Sequence, residues 1–504
     1  MLSSYLSKNI FITRILPVFA LGIIIGFIFP TVELLPYQIA LILLSLIFLI
    51  TKEGYLVSIF FLLFGFTIIQ SKLNTHCYYQ DDKESIINGT IITRIQQGKK
   101  SKHFIIETNK GLRINVYLRD KTINLKQNDN INLQASIYKI ENHINSSFNY
   151  KRYMKTQYCT HFCFAESIKL INQNKIDNSI PSLAKLVHKH LAESLLSSKL
   201  THETSSIISA MLIGERSQIE KETKENYIKA GAIHILAISG LHTGIVFLLV
   251  KLLLCKIFKM REYSYLFMLL SLACLWTYAL ITNLPTSVLR ACIIISFIII
   301  AKSIKRDCCI YNSIGASAFI ILIYDPASLF TPGFQLSYSA YTSIIYFFPK
   351  IKNLLNFKNK LITRIWEIIV LSFSAQIGTI PISCIYFGQI ANYSIITNLL
   401  ITIFIPIIIY TSILWYIVRI DFIADFLNIF VYSMNNLIKI ISELPGSTIH
   451  IKINLIEGIT LYVMYLSLFW MIWFKRKNLI WINLISIIIL AVCFSFDKLL
   501  LITK

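Results

Sequence analysis

Charged residues are scarce in this chain of 504 amino acids. They make up 15% of the sequence, whereas soluble domains carry about 25%. Hydrophobic residues make up 55%, and the mean hydropathy is +0.63. These values exclude a soluble multidomain protein and predict an integral membrane protein.

Acidic residues are the scarcer charge, with 26 Asp and Glu against 48 Lys and Arg and a net charge of +22. In a membrane protein this excess indicates basic cytoplasmic loops, contact with anionic membrane lipid, or an anionic substrate such as nucleic acid. The sequence is also rich in Ile, Asn, Lys, Tyr and Phe, the residues that an AT-rich genome favours. Base composition therefore explains part of the lysine excess equally well.

Several sequence motifs are absent. No Gly-x-x-x-x-Gly-Lys-Ser/Thr phosphate loop occurs, so an energy-driven step would need a separate cytoplasmic ATPase or the proton-motive force. The ten cysteines form no Cys-x-x-Cys pairs of the kind that bind zinc. The sequence therefore predicts no metal, no cofactor and no enzymatic activity.

Long apolar runs predict an α-helical polytopic protein with about thirteen membrane spans. The short loops alternate between basic ones and ones without Lys or Arg. The basic loops are 251–261, 302–306, 350–364 and 475–477. By the positive-inside rule these loops and the N-terminus are cytoplasmic, and residues 71–226 are extracytoplasmic. The predicted spans are 10–30, 36–50, 54–70, 227–254, 263–281, 284–303, 309–324, 334–349, 365–388, 393–418, 426–443, 457–474 and 478–496.

The chain divides into N-terminal spans at 1–70, an exported domain at 71–180, a connector at 181–226 and a membrane domain at 227–504. In the exported domain, short β-rich runs separated by turn formers predict a small barrel, with an OB-type barrel as one candidate. Residues 71–204 hold 20 Lys and Arg against 11 Asp and Glu. The orientation rule does not explain this positive charge, because long exported segments escape the rule.

The polar region also holds three cysteines. If it faces an oxidising compartment, Cys77 can bridge to Cys159 or Cys163, although unpaired thiols explain these residues as well. In the connector, leucines at helical spacing predict an amphipathic helix over 181–200, with His188 on the side away from the leucines. Such a helix lies on the membrane surface or packs in the soluble domain.

The most informative segment is 231–244, Gly-Ala-Ile-His-Ile-Leu-Ala-Ile-Ser-Gly-Leu-His-Thr-Gly. The polar residues His234, Ser239 and His242, together with Gly240, lie in an apolar span, where such groups usually face a bundle interior or a polar cavity. A continuous helix would place the two histidines on one face, whereas Ser239 and Gly240 allow the helix to unwind. The alternative is a packed helix with hydrogen-bonded core histidines.

Other polar residues recur at membrane depth. Arg290 needs water, an anion or an acidic partner there, and Glu367 is the nearest acid within the predicted spans. The uncharged residues either line a polar path or form hydrogen bonds between helices. These further candidate residues are Arg290, Gln335, Ser337, Gln376 and Asn398.

A series of motifs surrounds these residues. In order they are Leu-Ile-Gly-Glu-Arg at 212–216, His-Ile-Leu-Ala-Ile-Ser-Gly-Leu-His at 234–242, Arg-Ala at 290–291, Asp-Pro at 325–326, Gly-Phe-Gln-Leu-Ser at 333–337, Gln376, Pro381, Phe-Gly at 387–388 and Asn-Leu at 398–399. The series resembles the membrane domain of ComEC-type competence proteins. The resemblance implies a bacterial inner-membrane channel through which one strand of DNA enters the cytoplasm during natural transformation. It extends over nearly the whole chain, because the family also has early spans followed by an exported, OB-like domain.

Many members of that family continue into a C-terminal metallo-β-lactamase-like domain. This chain ends about eight residues after its last predicted span and has no His-x-His-x-Asp-His stretch, so degradation of the second strand falls to another protein or does not occur. The resemblance implies single-stranded DNA, an outer DNA receptor, and a cytoplasmic ATP-driven motor or single-strand-binding protein as partners. A homo-oligomer is compatible with it.

Two other functions fit the residues. A transporter or flippase for another anionic substrate would also use broken helices and a positive exterior. An intramembrane serine protease would use Ser239 with a histidine base. Both histidines, however, lie on the serine's own predicted helix rather than on a facing one, which disfavours the protease.

Overall fold

The computed structural model describes residues 11–29, 34–51, 54–77, 85–93, 95–97, 101–119, 125, 129–142, 149–172, 180–196, 199–474, 478 and 480–502. The chain forms two compact units. Unit 1 comprises Met1–Leu183 and Cys309–Thr331, and unit 2 comprises Ala184–Cys308 and Pro332–Lys504. The four-part division that the sequence suggests stays a prediction.

The elements of unit 1 are helices around one sheet. They are α1 (Phe11–Ile28), α2 (Leu35–Thr51), α3 (Gly54–Cys77), β1 (Ser85–Ile91), β2 (Gln96–Gln97), β3 (Lys102–Thr108), β4 (Arg113–Leu118), β5 (Asn130–Lys139), α4 (Tyr150–Thr156) and β6 (Cys159–Asn172). The connecting helix α5 (Ile180–Leu196) follows. Later in the chain, α11 (Ile310–Tyr324) and a 3-10 turn (Pro326–Phe330) return to this unit.

The elements of unit 2 are almost all helices. They are α6 (His202–Ile213), α7 (Lys221–Lys229), α8 (Gly240–Leu252) with a π turn (Leu253–Ile257), α9 (Tyr265–Ile281), α10 (Thr286–Ser303), α12 (Pro332–Lys352), α13 (Lys360–Phe387), β7 (Ile390–Ala391), α14 (Ser394–Val418), α15 (Asp421–Glu443), β8 (Thr448–Ile449), α16 (Leu455–Phe474) and α17 (Ile480–Ile502). The short strands β7 and β8 pair antiparallel. A large apolar core joins α6, α14 and α15.

The sheet of unit 1 closes into a five-stranded barrel in the order β1–β5–β6–β4–β3–β1, with β2 added beside β3. Only β4 and β6 run parallel; the other pairs are antiparallel. Alternate residues point inward because successive side chains in a strand face opposite sides, and Phe104, Val116 and Leu133 belong to the resulting core. The predicted barrel domain is confirmed.

The barrel is fixed to the 3-10 turn of its own unit. The hydroxyl of Tyr158 donates to Asp325 Oδ1 at 2.6 Å and accepts from the backbone N–H of Ala327 at 3.2 Å. Lys155 donates to the carbonyl of Phe27 in α1 at 2.5 Å. Burial, with the carboxylate of Asp325 as second cause, raises the pKa of Tyr158, which keeps its hydroxyl a neutral donor. These hydrogen bonds join the barrel, helix α1 and the 3-10 turn.

Among the described residues, five helices are long and apolar enough to cross a membrane by length and composition. They contain Leu56–Thr75, Gly240–Ile257, Thr286–Ser303, Lys360–Phe387 and Ser394–Val418. Shorter apolar helices cover Ile15–Ile28, Tyr265–Ile281, Ile310–Tyr324, Leu455–Phe469 and Ile480–Leu490. The chain is therefore a helical membrane protein with a barrel domain, as predicted, while the number of thirteen spans stays a prediction. The helices at three predicted spans, 36–50, 334–349 and 426–443, are in neither group.

Three details of the prediction are wrong. The span predicted over 227–254 is not one helix, because α7 ends at Lys229 and α8 begins at Gly240. The two histidines of 231–244 consequently do not share a helical face. His188 of α5 is not turned outward but buried, because its Nδ1 lies 2.8 Å from the carbonyl oxygen of Ile281, at the end of α9, and its Nε2 lies 3.6 Å from Glu215.

Candidate functional site: a broken helix and a buried arginine

A break in the helical path lies between α7 and α8. The chain turns at Gly231, whose φ of +77° is accessible to glycine at little cost. A Cβ added at Gly231 would lie 2.5 Å from the Cβ of Ser394 and 2.9 Å from that of Ala391. The absence of a side chain thus lets the break pack closely on the start of α14. His234 lies within the break, and its side chain is exposed.

Ser239 and His242 cap the first turn of α8. The Ser239 hydroxyl accepts from the N–H of Leu241 at 3.2 Å, and the Ser239 N–H donates to His242 Nδ1 at 3.1 Å. This reciprocal arrangement is a capping box. The contact that resembles a serine–histidine dyad in sequence is therefore part of a helix cap.

The cap also fixes the tautomer of His242. Because Nδ1 accepts a backbone proton, the ring proton of the neutral imidazole is on Nε2. Nε2 is buried and has no hydrogen-bond partner among the described residues, and His242 is only 1% exposed. An unused buried donor is costly, so His242 offers an N–H to a group that the described residues do not provide.

Helix α10 contacts the other side of the break. Its Ser287 hydroxyl donates to the carbonyl of Ile238 at 2.6 Å. One turn later, Arg290 reaches Gly240, where an added Cβ would lie 3.0 Å from Arg290 Nη2. Gly240 thus leaves the space that the guanidinium occupies.

Arg290 is buried, with 8% of its surface exposed. Its Nη1 donates to the carbonyl of Ser337 in α12. Its guanidinium carbon lies 5.7 Å and 5.2 Å from the ring centres of Tyr338 and Tyr341, within the range of cation–π attraction. The two tyrosines are functional candidates that the sequence reasoning missed, although their spacing of three residues on a helix next to Ser337 places them on one face.

No carboxylate of the described chain pairs with Arg290. The acid named from the sequence, Glu367, instead forms an ion pair of 2.6 Å with Lys352. The carbonyl and the two rings stabilise the cation without neutralising it. In an apolar helix, this leaves an uncompensated positive charge that an anion would complete.

A second polar group lies around the start of α14. Gln376 Nε2 of α13 donates to the hydroxyl of Ser394 at 2.9 Å. One turn further along α14, the Oδ1 of Asn398 is buried without a partner among the described residues. Gln335, in the first turn of α12, is half-buried. The predicted residues thus fall into two groups at the two ends of the break, one with Arg290 and one with Ser394.

Comparison with known proteins identifies the family. The sequence profile described as "Competence protein" matches residues 211–478, which is more than half of the chain. The matched range contains the break and both polar groups. The chain belongs to the competence protein family.

One curated relative of this competence protein is ComE operon protein 3 of Bacillus subtilis (strain 168). The two are 28% identical over 257 residues, which are 50% of this chain and 31% of the relative. The match thus spans about a third of the relative's length. No solved structure matches the chain. The ComEC-type resemblance predicted from the motifs is confirmed.

The barrel of this competence protein carries a row of aromatic side chains on its outer surface. Tyr117 of β4, Phe164 and Phe162 of β6, and Tyr138 of β5 follow one another in that order, with neighbouring ring centres 5.6 to 5.7 Å apart. Tyr138 is 51% exposed and Phe164 is 46% exposed. Arg119 lies over Phe164 at 5.9 Å. The row combines stacking surfaces with positive charge.

The cysteines of the barrel are buried. Cys163 is a free thiol in the barrel core, and burial raises its pKa to about 12. Cys163 points into the barrel core, and its predicted bridge to Cys77 stays a prediction. Cys159 is buried in a separate cluster. The side chain of Cys77 lies outside the described residues, so a bridge between Cys77 and Cys159 stays a prediction.

Proposed function

We propose that this competence protein is a bacterial inner-membrane conduit through which single-stranded DNA enters the cytoplasm during natural transformation. The observation that carries the proposal is the uncompensated charge of Arg290. The backbone of DNA is a polyanion, and the planar fork of a guanidinium matches two oxygens of one phosphate. A buried cation without an acid suits a substrate that brings its own negative charge.

The break between α7 and α8 forms the narrow part of the proposed path. Unwound backbone at membrane depth is tolerated where it lines a cavity or is buried in protein. The Nε2–H of His242 is a second donor for phosphate oxygens, and His234 extends this surface. Gln335, Gln376 and Asn398 would replace water around the strand as neutral hydrogen-bonding groups.

The exported barrel would receive the strand first. Its closed five-stranded order, with one parallel pair, supports an OB-like fold, a class of barrel that binds oligonucleotides. Exposed aromatic rings stack on unpaired bases, and basic residues attract the backbone. The aromatic row of Tyr117, Phe162, Phe164 and Tyr138 supplies the rings. Phe104 is buried in the core and plays no part.

The rest of the proposal concerns topology and partners. On the basis of the alternating basic loops, the N-terminus is cytoplasmic and residues 71–226 are extracytoplasmic. The whole chain crosses the membrane about thirteen times. The protein transports rather than catalyses. The family resemblance implies an outer DNA receptor and a cytoplasmic motor or single-strand-binding protein, and it is compatible with self-association.

Deletion and complementation test the proposal. In a transformable host that lacks this protein, labelled DNA should still bind at the cell surface but fail to reach the cytoplasm, and expression of this chain should restore entry. Normal DNA entry in the deletion strain would contradict the conduit. If entry of a lipid-linked phosphate or an anionic glycan fails instead, the protein transports a different anion, which Arg290 would also accommodate.

A further inference from the structure

The buried histidine of helix α5 contacts two segments that are distant in the chain. His188 is 5% exposed. Its Nδ1 lies 2.8 Å from the carbonyl oxygen of Ile281, the last residue of α9, and its Nε2 lies 3.6 Å from a carboxylate oxygen of Glu215. Because a carbonyl oxygen only accepts, Nδ1 carries a proton and donates it to Ile281. One side chain thus joins the end of α9 to the residues that follow α6.

The loop after α6 lies directly against the break between α7 and α8. Gly214 is the C-cap of α6, and a Cβ added there would lie 3.1 Å from Cδ1 of Ile238. The next residue, Glu215, accepts from the N–H of Ser217 through Oε1 at 3.2 Å and faces His188 with Oε2. The contact between Glu215 and His188 therefore bears on the position of Ile238, which is 3% exposed.

The turn between α9 and α10 contacts the same residue from another side. Residues 282–285 connect Ile281, at the end of α9, to the start of α10. In the first turn of α10, the hydroxyl of Ser287 donates to the carbonyl of Ile238 at 2.6 Å. Ile238 is thus held by Gly214 through packing and by Ser287 through a hydrogen bond.

Together these contacts form a closed ring around the break. The ring consists of His188, Ile281, the turn 282–285, Ser287, Ile238, Gly214 and Glu215. Ile238 directly precedes Ser239, the N-cap of α8, whose capping box includes His242. Ser287 directly precedes the turn of α10 that carries Arg290. Both donors of the Arg290 site therefore follow residues that the ring holds.

We propose that His188 is a positioning residue for the conduit, a role that rests on the proposed function. His188 does not bind the strand. It holds the loop at Gly214 and the turn before Ser287 in a fixed relation, and it thereby sets the backbone path of the break. Functional groups keep their geometry only when the residues behind them are themselves fixed. The connector helix thus determines where His242 and Arg290 present their N–H groups.

Two substitutions separate the contacts of His188. The amide nitrogen of asparagine can replace Nδ1, so His188→Asn keeps a donor for Ile281 and loses the contact with Glu215. The longer glutamine can replace Nε2, so His188→Gln keeps a donor for Glu215 and loses Ile281. Each should lower the initial rate of DNA entry about tenfold at normal membrane levels, with unchanged DNA binding at the cell surface. His190→Asn, at an exposed position of the same helix, is the matched control and should leave entry unchanged.

Two further measurements distinguish positioning from a contribution to stability alone. In purified full-length protein in detergent, both His188 variants should show faster hydrogen exchange over 231–244, with a melting temperature close to that of the wild type. In a double-mutant cycle, His188→Asn combined with Glu215→Gln should slow entry no more than the stronger single substitution does, because both remove the same contact.

Three results would overturn the positioning role. They are normal entry in either His188 variant, additive losses in the cycle, and faster exchange throughout unit 2 instead of over the break. Hydrogen exchange needs no transported substrate, so it tests the ring independently of the conduit. The conduit itself is tested by the deletion strain, and it stands if the His188 variants behave like the wild type.

Discussion

Replacement of Arg290 by methionine separates the two roles that a buried arginine can have. If the guanidinium is present for stability, its loss should unfold the protein. If it is present for an anion, its loss should abolish transport and leave the fold intact. The structure allows the balance to be worked out, because each partner of Arg290 is defined.

Removal of a cation from water costs several kcal/mol in real proteins. A hydrogen bond from a charged donor, here to the carbonyl of Ser337, contributes about 1.5 to 3 kcal/mol. Each desolvated cation–π contact contributes about 2 kcal/mol, and Tyr338 and Tyr341 supply two. The free-energy cost of burying the guanidinium and the stabilisation from its contacts are therefore similar. Ser337 also lies inside α12, where its carbonyl keeps the hydrogen bond of the helix itself.

We therefore expect Arg290→Met to melt within a few degrees of the wild type in detergent, or above it, with normal membrane levels. DNA entry should fall at least about a hundredfold, since two charge-assisted hydrogen bonds to phosphate are lost. Arg290→Lys keeps the charge without the fork and should lose about tenfold. Lys302→Met removes a charge from the other end of α10 and should leave entry near normal. Unfolding of Arg290→Met, or normal entry with it, would refute this reasoning.

Two further substitutions test the geometry. Gly240→Ala places a Cβ 3.0 Å from a guanidinium nitrogen of Arg290 and should lower DNA entry at normal membrane levels. Gly244→Ala, where an added Cβ meets no atom within 4 Å, should leave entry unchanged and stabilise α8 by up to about 1 kcal/mol; equal effects of the two would contradict the close approach. Tyr158→Phe should cost about 1 to 3 kcal/mol and speed hydrogen exchange in the 3-10 turn, whereas Tyr153→Phe, at an exposed position, should not.

The sequence predicted best what depends on local pattern. Short β-rich runs separated by turn formers predicted a small barrel between the early helices and the connector, and the structure has one there. Hydropathy identified most of the apolar helices. The motif at 234–242 drew attention to the candidate segment, because polar residues in an apolar run stand out without knowledge of the fold.

The prediction failed where a tertiary contact or a single backbone angle determines the local structure. The positive φ of Gly231 and the cap at Ser239 interrupt a segment whose composition is that of one span. The prediction that His188 faces outward failed, because a helical pattern does not reveal that its imidazole makes a hydrogen bond with the carbonyl oxygen of Ile281. Arg290 and Ser337, which are in contact, lie 47 residues apart in the chain. No rule based on local sequence predicts such a pair.

The net charge of +22 loses importance once the structure is known. Exposed charges are screened beyond about 8 Å at physiological ionic strength, so the many surface lysines act on the rate at which DNA approaches and on its salt dependence. A buried charge is screened far less, and it discriminates among ligands because it stays unsatisfied without the correct one. By this reasoning, the buried charge of Arg290 would contribute more to the discrimination of an anionic ligand than the many exposed lysines do.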